Sequence, residues 1–177
     1  MFSGVLAQFL DLSISKNFNE LTYDWHKVKD LVANSSQSLN GLLERLHFFN
    51  FSLWHEEDQA RRTDVSDNII AQVKRSIDKF NQSRNDTIQR IDEELYHLLT
   101  TSGFNLTEGS LNSETPGSML DRYSIMSLKV YHMNEISIDF KKNEELRLAC
   151  TLKVKKLEEQ QQDLENCIKS LLVDISE

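Results

Sequence analysis

Glycine and proline are scarce in this chain: five Gly and one Pro in 177 residues. Hairpins and sheets consume turn residues, so the shortage argues against a β architecture and for long helices with few breaks. There are two cysteines, Cys150 and Cys167, on one helical segment. Seventeen helical residues separate them by roughly 25 Å, which excludes a mutual disulfide. Neither forms a C-x-x-C pair, so a zinc-ribbon pattern is missing, and free thiols suit a reducing, cytoplasmic setting. A basic surplus is also lacking: the formal net charge is -8, opposite in sign to what a general nucleic-acid binder needs. No run approaches the ~18 uncharged apolar residues of a membrane span. The opening "MFSGVLAQFLDLSISK" has no basic leading segment and is interrupted by Asp11, so it reads as a packing helix and not as a signal peptide. G-rich phosphate loops, G-x-S-x-G and H-E-x-x-H motifs do not occur.

What is present is helical periodicity. The expected fold is all-α, one domain over 1–177, an antiparallel bundle of long helices with coiled-coil-like seams. Short N-terminal helices are expected within 1–33, near 3–14 and 19–33, the second carrying Leu21, Trp25, Val28, Leu31 and Val32 on one face. A polar break at 34–41 precedes a helix over about 40–62. Thr63 or Asp64 can cap the next, over about 65–99, whose seam is Ile70, Val73, Ile77, Phe80, Ile88, Ile91, Leu95 and Leu98. Arg84 lies in that seam and has to snorkel or pair. The stretch at 100–118 holds three of the five glycines and the only proline, with a long loop over 100–116, and Thr115-Pro116 reads as cap plus first-turn proline. Helices over about 117–141 and 144–175 follow, and whether they turn or continue at 140–145 is open from pattern alone.

Two stripes carry the chemistry. At 100° per residue, Leu42, Leu46, Phe49, Leu53 and Ala60 share one face of the helix over 40–62. Beside it, not opposite it, run His47, Asn50, Trp54, Glu57, Asp58 and Arg61. His55, Glu56 and Arg62 point elsewhere. On the helix over 117–141, Asp121, Ser124, Leu128, His132 and Glu135 lie opposite the apolar face, with Arg122 and Lys129 to one side. Two such helices facing each other would enclose a polar cavity for an anionic or sugar-like ligand. Its expected ligand-binding set is His47, Asn50, Trp54, Asp58, Arg61, Asp121, Arg122, Lys129 and His132. An enzyme would use the same cavity, with Glu57 or Asp58 as base and His47 or His132 as acid. The bland alternative is a set of cross-helix ion pairs, Asp58 with Lys129 or Arg61 with Asp121. No cofactor is expected. A divalent metal is the weaker alternative, through the helical E-x-x-H pairs Glu44–His47 and Glu94–His97.

Two longer stretches, L-H-x-x-N-x-x-L-W-H-x-E-D-x-A-R at 46–61 and P-G-S-x-x-D-R-x-S-I-x-x-L-K-x-Y-H at 116–132, resemble an uncharacterised bacterial family, domain of unknown function 4254. The likeness covers roughly residues 40–175. His55 belongs to its motif although the wheel gives it no place. The resemblance implies an all-helical fold and an association with glycosyltransferases of surface-polysaccharide or lipopolysaccharide assembly. Expected partners are therefore a glycosyltransferase or a nucleotide-sugar-type ligand, with a homodimer or a docking bundle as the structural alternative. It implies no reaction, so whether the protein is an enzyme is open.

Overall fold

The computed structural model describes residues 14–103, 111–139 and 143–176. Among them are five helices and no strand: α1 (Ile14–Trp25), α2 (Leu39–Ala60), α3 (Asp67–Thr101), α4 (Pro116–Asp139) and α5 (Glu144–Ser176). α2 and α3 form one antiparallel hairpin and α4 and α5 a second, the two broadest interfaces in the molecule. Cross-helix contacts fix the directions. Gln37 meets Arg90 while Phe49 meets Phe80, and Thr22 meets His47 while Trp25 meets Phe51. His47 meets Ser124 while Trp54 meets His132, and α4 packs along α5, which begins within five residues of its end. Hence α1, α2 and α4 run one way, and α3 and α5 the other. The chain reverses between Asp139 and Glu144, which answers the open question at 140–145. The first expected helix, 3–14, lies essentially outside the described residues.

The core joins Phe18, Leu42, Leu43, Leu46, Ile91, Leu95, Met119, Leu120, Tyr123, Ile168, Leu171 and Leu172. α4 touches all four other helices. That position explains its pattern: Asp121, Ser124 and Leu128, placed opposite the apolar face by the wheel, are buried as well. A helix covered on nearly every side has no solvent face for a polar stripe to occupy. Among the described residues, no helix is long and apolar enough to cross a membrane.

α1 already includes Ile14, ahead of the expected start near 19, and two other boundaries differ from expectation, each for a geometric reason. α1 stops at Trp25 instead of near 33, leaving Val28 and Val32 51% and 81% exposed. Trp25 already stands beside Phe51, well up α2, and α1 runs parallel to α2. The connection must therefore drop back roughly 18 Å to reach Leu39, which an extended chain achieves and a continued helix does not. It is fastened on arrival: Arg45 donates to the carbonyls of Asn34 and Ser36, Asn34 donates to Glu44, and Ser38 caps α2 through Gly41 N–H. α3 begins after Ser66, not after Thr63 or Asp64, because the Asp64 carboxylate is taken by the Arg62 guanidinium at 2.8 and 3.0 Å. At α4 the expected cap holds: Thr115 Oγ1 accepts from Ser118 N–H, with Pro116 in the first turn.

Candidate functional site

The inner half of the α2 stripe closes into a hydrogen-bond chain. Thr22 Oγ1 donates to the Phe18 carbonyl (2.8 Å), so it accepts from His47 Nε2–H (2.9 Å). His47 Nδ1 then accepts from the Ser124 hydroxyl (2.8 Å), whose oxygen accepts from Asn50 Nδ2 (3.0 Å), and Asn50 Nδ2 also donates to Asp121 Oδ1 (2.8 Å). His47 is fully buried and stacks on Phe18. Burial holds its pKa down at about 3, so the ring is neutral and both nitrogens are committed. It has neither the access nor the free nitrogen that acid–base work or metal ligation requires. This corrects its placement among ligand-binding and catalytic candidates: His47 is a core residue. Burial likewise raises the Asp121 pKa, against the opposing Asn50 hydrogen bond and the Arg84 charge.

The outer half stays open. A cleft of about 280 Å³ lies between α2, α3 and α4, lined by Asn50, Leu53, Trp54, Glu57, Asp58, Arg61, Asn81, Arg84, Ile125 and Leu128. Arg84, the seam arginine, pairs with Asp121 at 3.8 Å, and Arg61 pairs with Asp58 at 2.8 Å on the exposed rim. Those pairs stand in place of the Arg61–Asp121 and Asp58–Lys129 bridges of the ion-pair alternative. Two polar atoms of cleft residues are buried without a hydrogen-bond partner, Asn50 Oδ1 and Arg84 Nε. Arg122 is directed elsewhere, to Glu114, and Lys129 is exposed and lines no part of the cleft.

Trp54 forms the cleft's wall on one side and on the other stacks flat against His132, with centroids 4.8 Å apart and planes 4° apart. Behind it three imidazoles converge: His26, just past the end of α1, His55 of α2 and His132 of α4. Their ring centroids lie 5.1, 5.0 and 5.6 Å apart, and one nitrogen from each falls within 4.8 Å of the others. His26 Nδ1 donates to the Thr22 carbonyl (2.6 Å) and His132 Nδ1 to Glu135 Oε2 (3.0 Å). The Nε2 atoms of both rings are buried and unpaired, each an arrangement that costs ~1–3 kcal/mol when nothing compensates it. Burial first, then the neighbouring His26, lowers the pKa of His55 and of His132, with Glu135 and Asp58 opposing.

His26 was not singled out by the sequence patterns, and His55 had only its place in the motif. The alternative metal set does not assemble. Glu44 is bound by Asn34, His47 is sealed in the core, His97 is exposed, and the described residues bring no metal-capable group together there.

The fold is thus an all-helical bundle with an open polar cleft and a histidine cluster on either side of one tryptophan. The model of a family described as a protein of unknown function, DUF4254, matches residues 40–177, and the chain belongs to that family. No curated protein and no solved structure matches it.

Proposed function

We propose that the cleft binds a sugar-like ligand, and that the protein is a cytoplasmic binding or accessory protein of bacterial surface-polysaccharide or lipopolysaccharide assembly. The observation that carries the ligand class is that Asn50 Oδ1 and Arg84 Nε, the latter 3.8 Å from the Asp121 carboxylate, both lack a hydrogen bond among the cleft residues. One is an acceptor in need of a donor, the other a donor in need of an acceptor. A vicinal diol supplies both, whereas a phosphate monoester dianion only accepts. Trp54 adds an aromatic wall, and Glu57, Asp58 and Asn81 add planar polar groups. Arg61, paired with Asp58 at the rim, would meet an anionic substituent such as a nucleotide-sugar phosphate. The wider role rests on the family resemblance of the two long motifs.

Calorimetric titration with UDP-glucose, UDP-glucuronate, free glucuronate and inorganic phosphate tests this. A sugar-bearing probe is expected to bind, and Arg84→Met to weaken it by about 10–100-fold, the value of a hydrogen bond to a charged group. Lys129→Ala, away from the cleft, is expected to leave affinity unchanged. Unaltered affinity in a folded Arg84→Met protein, or phosphate binding as tightly as the sugars, would overturn the reading.

A second reading, self-association or docking of a glycosyltransferase, is favoured by one surface. Ile136, Ile138, Leu146, Leu148 and Leu152, at the α4–α5 turn end of the hairpin, are all exposed. On this reading Leu148→Glu with Leu152→Glu lowers the mass seen by light scattering, or abolishes capture by the glycosyltransferase, without altering the sugar titration.

A further inference from the structure

We propose that His26, His55 and His132 form a binding site for one divalent transition-metal ion of the zinc class. The site stands apart from the cleft and does not depend on the sugar reading.

The wiring of the rings carries the argument. Carbonyl and carboxylate oxygens accept, so Thr22 O holds the proton of His26 on Nδ1, and Glu135 holds that of His132 on Nδ1. In the neutral ring the remaining nitrogen, Nε2, is then a bare lone pair. Those two lone pairs are the atoms left buried without a partner. An ordinary buried histidine satisfies both nitrogens, as His47 does with Thr22 and Ser124 a short way below. Backbone carbonyl and carboxylate partners on Nδ1 are also the outer contacts that orient metal-binding imidazoles and fix their tautomer.

Spacing and donor type narrow the ion. Three neutral imidazoles with no thiolate suit zinc, copper, nickel or ferrous iron over magnesium or calcium, which prefer oxygen donors. With bonds of about 2.0–2.1 Å, tetrahedral nitrogens sit roughly 3.3 Å apart. One nitrogen of each ring now lies within 4.8 Å of the others, so closing on an ion takes movements of up to ~1.5 Å. Side-chain rotation provides that, most readily at His55, which no hydrogen bond anchors among the described residues. Three protein ligands on half-buried side chains leave a coordination position for water or a ligand group. Each ligand comes from a different element, so the ion would also tie the end of α1 to α2 and α4.

The test uses the full chain stripped with EDTA and desalted. Zn²⁺ alone is titrated by calorimetry and Co²⁺ alone by visible absorption. One ion per chain is expected, with intense cobalt bands of low coordination number and a rise in Tm on zinc addition. His55→Ala, the ligand whose loss disturbs the bundle least, is expected to weaken binding by more than about 100-fold and to abolish the Tm rise. Glu135→Ala, an orienting change, is expected to weaken it by about 10–100-fold, and His97→Ala not at all. Absence of stoichiometric binding overturns the proposal. So does binding that survives both His55→Ala and His132→Ala in folded protein, or that is lost in His97→Ala.

Discussion

His47→Ala is expected to destabilise the protein by about 3–5 kcal/mol, a large part of the stability of a domain this size. The substitution removes a ring stacked on Phe18 and packed against Trp25. It also leaves the Thr22 and Ser124 hydroxyls, buried on α1 and α4, without the partner between them. His47→Gln, which can reach one of the two, is expected to lose less. The same residue sets a pH dependence. Its folded pKa is about 3, against an ordinary histidine value of 6.5. A histidine depressed in the folded state contributes stability that is present above the unfolded value. Below it the unfolded chain takes up a proton that the native ring refuses. Stability from this residue therefore falls by about 1.4 kcal/mol per pH unit from 6.5 downward and levels off near the folded value. His55 and His132, also lowered, add to the slope with the same sign. Urea denaturation between pH 7.5 and 5 checks this. His47→Gln is expected to reduce the slope by about 1.4 kcal/mol per unit, and an unchanged slope would show that His47 is not the buried neutral ring described above.

Helices and seams were legible because they depend on periodicity within one segment; residues 104–110 of the expected loop lie outside the described residues. The Ile77–Ile91–Leu95 seam and the Thr115-Pro116 start are local statements, and they held. The two stripes were legible only in part, because a helical wheel reports direction and not what stands in that direction. His47 and Asp58 share a flank of α2, yet the first meets Thr22 and Ser124 in the core while the second ends exposed on the rim. The wheel assumed one facing helix. In fact α1 and α4 both run alongside α2 in the same direction, and together they cover the flank on which His55 lies. That is why a motif residue without a place on the wheel sits against His26 and His132. His26 was the least readable. It lies just beyond a helix that stops short of its expected end, 29 residues from His55 and 106 from His132, and no spacing rule links those positions.

Gly117→Ala is expected to destabilise the protein by about 1–3 kcal/mol, the opposite sign to that of the same change on an exposed helix. There alanine gains roughly 0.5–1 kcal/mol over glycine through backbone entropy. At Gly117 the added methyl would stand 2.7 Å from the Ile88 carbonyl oxygen and 2.8 Å from Asp92 Oδ1. The Asp92 side chain can swing away, although that breaks its acceptance of Gly117 N–H at 2.7 Å. The Ile88 carbonyl belongs to the backbone of α3 and cannot move without carrying the helix with it. The first turn of α4 must therefore lift from α3. Asp121 follows one turn later and Arg84 lies one turn before Ile88, so the lift separates the Arg84–Asp121 pair beside the cleft. Thermal unfolding reads the first effect, at about 2–4 °C per kcal/mol for a chain of this length. Asp92→Ala apportions it. A cost that persists in that background belongs to the backbone contact, and a cost that vanishes belongs to the carboxylate. Sugar affinity reads the second effect and is expected to fall with stability. A Gly117→Ala protein as stable as the parent, or more so, would mean that α3 and α4 do not approach this closely at the head of the cleft.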